Sequence, residues 1–416
     1  IKHGFAFKSE YFSSQGPFVL LTPGNFVEAG GFRWLGDKQK FYDGPVPNDF
    51  ILSPGDMLIA MTEQAPGLLG STFFVPEGRK YLHNQRLGLI RVQATDRLFD
   101  RYLHYYLSLP DTRRIISAES TGTKVKHTSP ERLYDLKISI PSLLEQRKVA
   151  EILRTWDEAL EKLTALRAAK LKRHRWLTMT LAFGGRQLDC FRTTNGGGGY
   201  RWFQLPASWD CRPIGDLAVE VSERNNDGGQ QEVLSCSKHD GFVRSLEYFK
   251  KQVFSADLSG YKKIWRGDFG FPSNHIEEGS IGLQNLADVA VVSPIYTVFR
   301  FNTEEVHPYY ALAVLKTALY RHIFKVSTSA SVDRRGSLRW NEFSRLPFPV
   351  PPFAEQEAIA EILRISHYEL DSLSNKINAV SRQKHGLMQK LLTGKWRGSP
   401  TPEEPSETIK ENAHAE

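Results

Sequence analysis

Two stretches of the chain carry the same long apolar rhythm. Leu363, Ser366, Leu370, Leu373, Ile377, Val380, Lys384, Leu387 and Leu391 follow one another in alternating steps of three and four. That spacing lines one face of a helix as a heptad seam and is kept for about four heptads. Leu153, Trp156, Leu160, Leu163, Arg167, Lys170, His174, Leu177 and Leu181 repeat the steps. The polar centre of this first seam predicts looser pairing there or a shift of register. Each stretch follows a proline, Pro141 or Pro351, and stops near a glycine, Gly184 or Gly394, where helices end. The pattern predicts helices over Leu144–Phe183 and Ala354–Leu392, each about 60 Å long at 1.5 Å per residue. The two seams predict that the helices pair with each other as an antiparallel coiled coil.

The two stretches are copies. Pro141-Ser-Leu-Leu-Glu-Gln-Arg-Lys-Val-Ala-Glu-Ile-Leu-Arg154 returns as Pro351-Pro-Phe-Ala-Glu-Gln-Glu-Ala-Ile-Ala-Glu-Ile-Leu-Arg364, and the seam leucines match at the same offset. A repeat of this length marks a tandem duplication of one domain plus one helix. Residues 1–140 and 201–350 read as mixed β structure with some helix. Strands are predicted at Met57–Ala60, Phe73–Val75, Val289–Val292 and Tyr296–Phe301, and helices at Phe99–Leu109 and Pro308–Phe324. Short closing strands are predicted at Leu136–Ile140 and Leu346–Val350. Each copy has a Gly-Asp step before an apolar strand, Gly55-Asp56 and Gly267-Asp268. The intervening loops hardly match, as Thr62–Gly70 against Ser273–Ile281 shows. The second copy opens Leu205-Pro-Ala-Ser-Trp209, and nothing equivalent precedes Gly4, so a missing first strand is expected in the first domain. The fold class is therefore α+β: two tandem mixed domains, 1–140 and 201–350, separated by two helical regions, 141–187 and 351–397. Residues 188–200, with Gly196–Gly199, read as a flexible linker, because no Gly-Lys-Ser/Thr follows to make a phosphate loop. The Pro-, Glu- and Ser-rich tail 398–416 should be disordered.

Composition narrows the class. The chain has 416 residues, 40% hydrophobic and 24% charged, with net charge +7. These are globular values, and no apolar run reaches the roughly 20 residues of a bilayer helix. Cys190, Cys211 and Cys236 have no C-x-x-C spacing, which fits a reducing cytoplasm and neither a disulfide framework nor a zinc knuckle. The basic excess permits a nucleic-acid partner without requiring one.

Candidate contacts with such a partner lie in expected loops and turns. The first domain offers Lys8, Gln64, Arg79, Lys80, Asn84, Gln85, Arg86, Lys124, Lys126 and His127. The second offers Lys238, His239, Lys250, Lys251, Lys262, Lys263, Asn274, His275, Arg334, Arg335 and Arg339. Arg, Asn and Gln suit base edges, and Lys suits phosphates. His239 and His275 have no ligand-spaced partners, so no metal site is expected. Glu145 and Glu355 read as first-turn carboxylates facing the helix dipole, or as contacts to a partner subunit, and not as catalysts.

Several of these pieces resemble the specificity subunits of type I restriction-modification systems. Gly4-Phe-Ala-Phe-Lys-Ser-Glu-Tyr-Phe12 is similar to the stretch after that family's first strand. The doubled Pro-x-x-x-Glu-Gln at Glu145-Gln146 and Glu355-Gln356, each opening a long helix, resembles its two helical regions. Leu387-Met-Gln-Lys-Leu-Leu-Thr-Gly-Lys395 resembles the end of the second. Thr123-Lys-Val-Lys-His127 and Leu205–Trp209 fit its domain boundaries. The resemblance implies two target-recognition domains on double-stranded DNA, each reading half of a split site, with the helices as a ruler between them. Half-sites on one face of a duplex lie about 34–36 Å apart. It further implies two modification subunits that methylate adenine, joined by restriction (motor-nuclease) subunits. S-adenosylmethionine, ATP and magnesium would be held by those partners and no cofactor by this chain. Two other readings stay open: the recognition part of a fused methyltransferase-nuclease, although no Asn/Asp-Pro-Pro-aromatic motif is present, and a coiled-coil scaffold without a DNA role.

Overall fold

The computed structural model describes residues 1–63, 67–123, 125–185, 198–199, 201–226, 231–249, 251–328 and 337–396. The tail 398–416 and most of the linker 188–200 lie outside the described residues. The chain divides into two compact units, Ile1–Leu163 with Lys376–Glu416, and Thr164–Asn375. Both boundaries fall inside long helices, Leu143–Ala182 and Phe353–Leu392, each of 40 residues. Each unit thus holds one β-rich domain, part of the first helix and part of the second.

Both helices end as their glycines require. Gly184 and Gly394 have φ of 65° and 73°, the left-handed region open to a residue without Cβ. Their seams are the faces turned inward. In the first unit Val149, Ala150 and Leu153 are buried with Met388 and Leu392, beside Tyr102, Tyr105 and Leu109 of the domain. In the second unit Leu181 and Ala182 share a core with Ile359, Ala360 and Leu363.

The polar centre of the first seam is neither loose nor out of register. Arg167 Nε donates to Ser374 Oγ at 2.7 Å, Lys170 Nζ to Glu369 at 2.8 Å, and His174 Nδ1 lies 3.1 Å from Ser366 Oγ. Partners descend as the first helix ascends, so the two segments run antiparallel. Side-chain hydrogen bonds fill the seam where apolar packing would have been, which is why its phase survives three polar positions. In the first unit Lys384 bridges to Asp157, and Asp157 also accepts from the Tyr105 hydroxyl.

The two domains share one sheet plan. The first has a four-stranded antiparallel sheet in the order Lys2–His3, Leu87–Ile90, Met57–Ala60, Thr72–Phe74. The second has Ala218–Glu220, Tyr296–Phe301, Phe269–Pro272, Gly282–Leu283. The Gly-Asp step makes the same turn in both. Gly55 and Gly267 sit at φ of 85° and 92°. The following Asp56 and Asp268 each accept a backbone N–H from three residues back, from Ser53 at 2.9 Å and Trp265 at 2.8 Å. A second sheet in the first domain orders Phe12–Ser13, Phe41–Tyr42, Phe18–Leu20, Lys80–Leu82 and Ile51–Leu52, with Phe18–Leu20 and Lys80–Leu82 parallel.

Three elements differ from expectation. Leu136–Ile140 is not a strand, whereas Pro347–Val350 is, because Asp210–Pro213 pairs with it. A strand exists only through its partner, and among the described residues none pairs with 136–140. The helix expected over Pro308–Phe324 is two helices, Pro308–Leu315 and Ala318–Ser327, with the Thr317 side chain capping the second through Tyr320 N. The strand expected at Phe73–Val75 is Thr72–Phe74.

Candidate nucleic-acid interface

Each domain is fastened to the helix that follows it by the second residue of the Glu-Gln pair. Gln146 is fully buried. Its Oε1 accepts from Phe99 N at 2.8 Å, and its Nε2 donates to the carbonyls of Arg97 and Pro141, both at 2.8 Å. Gln356 makes the same set: His307 N at 2.9 Å, Glu305 O at 2.9 Å and Pro351 O at 3.0 Å. A primary amide offers one acceptor and two donors, and here each is used. The preceding glutamates part ways. Glu145 is half-exposed. Glu355 is the first-turn carboxylate expected from the sequence, and it is buried and accepts the indole N–H of Trp209. Burial pushes its carboxyl above the ordinary range, against the Trp209 hydrogen bond, which lowers it. The glutamines of the motif therefore position the domains on their helices.

The candidate contacts of the first domain fall into two groups. Lys8, Arg79, Lys80, Gln85, Arg86 and His127 are exposed. Lys8 lies 3.6 Å from Glu10. Arg79 spreads over the ring of Trp34 at 5.0 Å, and Lys80 lies 5.8 Å from the Phe18 ring. Asn84 is buried and its side-chain oxygen accepts from Arg86 N, shaping the turn that presents Gln85 and Arg86. Lys126 is half-buried and donates to Ser117 Oγ. Gln64 and Lys124 lie outside the described residues.

In the second domain Lys238, His239, Lys251, His275 and Arg339 are exposed. Lys238 stands 4.0 Å from Glu278, and His275 Nδ1 lies 3.6 Å from the same side chain. His275 holds a left-handed backbone, φ 71°, at the entry of a short turn. Asn274 bridges to Ser337. Lys262 and Lys263 are half-buried: Lys262 donates to Tyr296 O at 2.7 Å, and Lys263 lies 3.2 Å from Glu223. Burial lowers the Lys262 ammonium below its usual range. Lys250, Arg334 and Arg335 lie outside the described residues.

Among the described residues no group of three or more His, Cys, Asp or Glu side chains could hold a metal, and no helix is long and apolar enough to cross a membrane. Trp34 and Lys40, absent from the sequence-based candidates, join the exposed set of the first domain; Lys40 lies 5.1 Å from the Phe12 ring. Trp34 carried no loop signal beyond its neighbouring glycines, and its exposure is visible only in the fold.

The architecture is that of solved type I S subunits. The S subunit from M. genitalium superposes with a TM-score of 0.54 at 14% identity, covering 94% of this chain and 92% of that one. A chain from a structure of type I R-M system assembly and conformational transition gives 0.51 at 16% identity, covering 90% and 91%. Residues 1–173 match the family model of the type I restriction modification DNA specificity domain. The EcoBI specificity subunit of Escherichia coli is 25% identical over 438 residues, spanning 96% of this chain and 84% of the relative. The putative MjaX specificity subunit of Methanocaldococcus jannaschii is 25% identical over 203 residues, spanning 46% and 47%. The chain is thus similar over nearly its whole length to type I restriction enzyme specificity subunits, and its residues 1–173 match their DNA specificity domain.

Proposed function

We propose that this chain reads a split site on double-stranded DNA, one half with residues 1–140 and the other with 201–350, in the cytoplasm. The observation that carries the reading is the repeated glutamine clamp: one frame holds two domains whose loops differ, as two different reading tasks require. Exposed Arg and Gln side chains such as Gln85, Arg86 and Arg339 are suited to base edges, and the exposed lysines to phosphates. The paired helices set the unread spacer and seat two modification subunits, which restriction subunits join. Adenine methylation with S-adenosylmethionine, and ATP- and magnesium-driven translocation and cleavage, belong to those partners; this chain supplies no catalysis.

Methylation mapping of complexes carrying a chimaeric chain tests the reading. Exchange of the loops within residues 1–140 should change one half-site and leave the other half and the spacer as they were. One heptad inserted into both helices keeps the seam in phase and adds about 10 Å, roughly three base pairs. It should lengthen the spacer alone. Changes in both halves from the loop exchange, or an unaltered spacer in an active insertion variant, would overturn it. Turnover of S-adenosylmethionine by the pure chain would overturn the assignment of catalysis to partners.

A further inference from the structure

The second sheet of the first domain carries a basic feature that base reading does not use. Its parallel strands Phe18–Leu20 and Lys80–Leu82 begin side by side, with Phe18 paired to Lys80. A groove of about 490 Å³ opens at these strand starts, lined by Gly16, Pro17, Val19, Gly78, Arg79 and Lys80. No carboxylate lines it. Gly78, at φ 90°, has no atom within 4 Å of where a Cβ would stand, so the turn leaves the groove mouth open. Among the described residues neither Arg79 nor Lys80 makes an ion pair; each lies over an aromatic ring instead. Trp34, 41% exposed, presents its ring to Arg79 and packs its edge on Phe41 at 6.1 Å.

This arrangement suits a sugar-phosphate backbone. Two unpaired cations offer donors to phosphate oxygens; Arg does so as a fork and Lys as a point charge. The exposed indole of Trp34, against the Arg79 guanidinium and outside the groove lining, adds apolar surface there for deoxyribose. A base edge presents acceptors and donors together, and the lining supplies only the cationic donors of Arg79 and Lys80, with no side-chain acceptor beside them. A protein partner would be expected to meet an apolar centre, and this groove has cations at that place.

We propose that the Arg79–Lys80 groove, with Trp34 stacked against Arg79, clamps the DNA backbone beside the first half-site and sets affinity without contributing to sequence choice. The proposal rests on the DNA-reading function given above. The test compares the full chain with Arg79→Gln/Lys80→Gln and with Trp34→Leu. Binding to a duplex with the mapped site and to a scrambled duplex is measured across a salt series, and thermal midpoints check folding. The double variant should weaken both duplexes equally and flatten the log–log salt dependence by about two, near 0.9 for each phosphate that is no longer neutralised. Trp34→Leu should weaken both on the order of tenfold with the slope retained. Inorganic phosphate, titrated at constant ionic strength, should not displace the duplex.

A wild-type chain without site preference would count against the DNA-reading function itself. A wild type that prefers its site, with folded variants that bind and respond to salt as it does, would overturn the clamp alone. Selective loss of the mapped site would make the groove a base reader, and displacement of the duplex by millimolar phosphate would make it a free-anion site. Unaltered DNA binding with impaired assembly on the modification subunits would make it a protein-docking surface. Each of these outcomes also overturns the clamp.

Discussion

Trp209 donates its indole N–H to one oxygen of Glu355 at 2.9 Å, and the other oxygen of that carboxyl is buried without a hydrogen-bond partner among the described residues. A charged carboxylate in this place is poorly solvated, which is why burial raises its proton affinity. The folded state favours the protonated form. Its contribution is present below the ordinary carboxylate range and is lost as pH rises through the raised value. Glu355→Gln keeps an oxygen for Trp209 and cannot ionise. Its thermal midpoint relative to wild type should therefore rise between about pH 5 and about pH 8. Calorimetry at both pH values reads this, and an equal difference at the two would show that the carboxyl is not perturbed.

The glutamine clamps should behave as two separate fastenings. Gln146→Leu or Gln356→Leu leaves one backbone N–H and two carbonyls without their partner, at about 1–3 kcal/mol for each group that stays dry. A destabilisation of about 3 kcal/mol or more is expected from denaturant titration. Hydrogen exchange should show the amide of Phe99 opening in the first variant and that of His307 in the second. Opening of both amides in either variant would contradict independent fastening.

Acid should weaken the fold from the histidine side. Burial holds His83 and His104 down to about 4, and lowers His174 with a smaller contribution from the neighbouring His367. Unfolded imidazoles take up protons near 6.5. The stabilising effect of these neutral rings is therefore present above that value and is lost as pH falls toward the folded ones. His174 faces Ser366 and lies 6.0 Å from His367, whose ring in turn pairs with Asp371 at 3.4 Å. His174→Gln retains a polar group for Ser366 and removes the titration. Stability plotted against pH between about 6.5 and about 4 should be less steep for the variant; an unchanged slope would exclude His174 as a contributor.

The seam gives the sharpest mechanical test. Leu370 is 5% exposed on the face that meets the first helix. Leu370→Lys removes apolar packing of about 2 kcal/mol and forces a charge into its place. The helical pairing of the second unit should melt early by circular dichroism. Tyr368→Lys, at a position 73% exposed, should have little effect; equal damage from both would mean that the seam is misplaced.

Periodicity made the helices legible to within one residue at each end, including the three polar seam positions, because a heptad phase is a local property. The sheets were legible only as strands. Which strand neighbours which is decided across the domain, so the missing partner of 136–140 could not be read locally. The Glu-Gln motif and the first-turn place of Glu355 were legible, but its partner was not: Trp209 lies 146 residues before Glu355, and nothing near Glu355 announces it. The proposed DNA-facing surface could be named from the sequence only as residue types. Burial then distinguished Asn84 from Gln85, and only the fold shows Trp34 exposed with its edge on Phe41, which no loop signal marks.

The clamp of Gln146 and Gln356 grips only peptide groups: two carbonyls and one N–H in each copy. The residues supplying two of those three groups differ, Arg97 and Phe99 in one copy and Glu305 and His307 in the other, and the bonds do not. A socket that ignores side chains accepts any domain whose backbone follows the same path. On the DNA-reading function proposed above, one domain could then be replaced by another of the same backbone path without redesign of the joint, and the DNA address would change while the helical frame stayed intact.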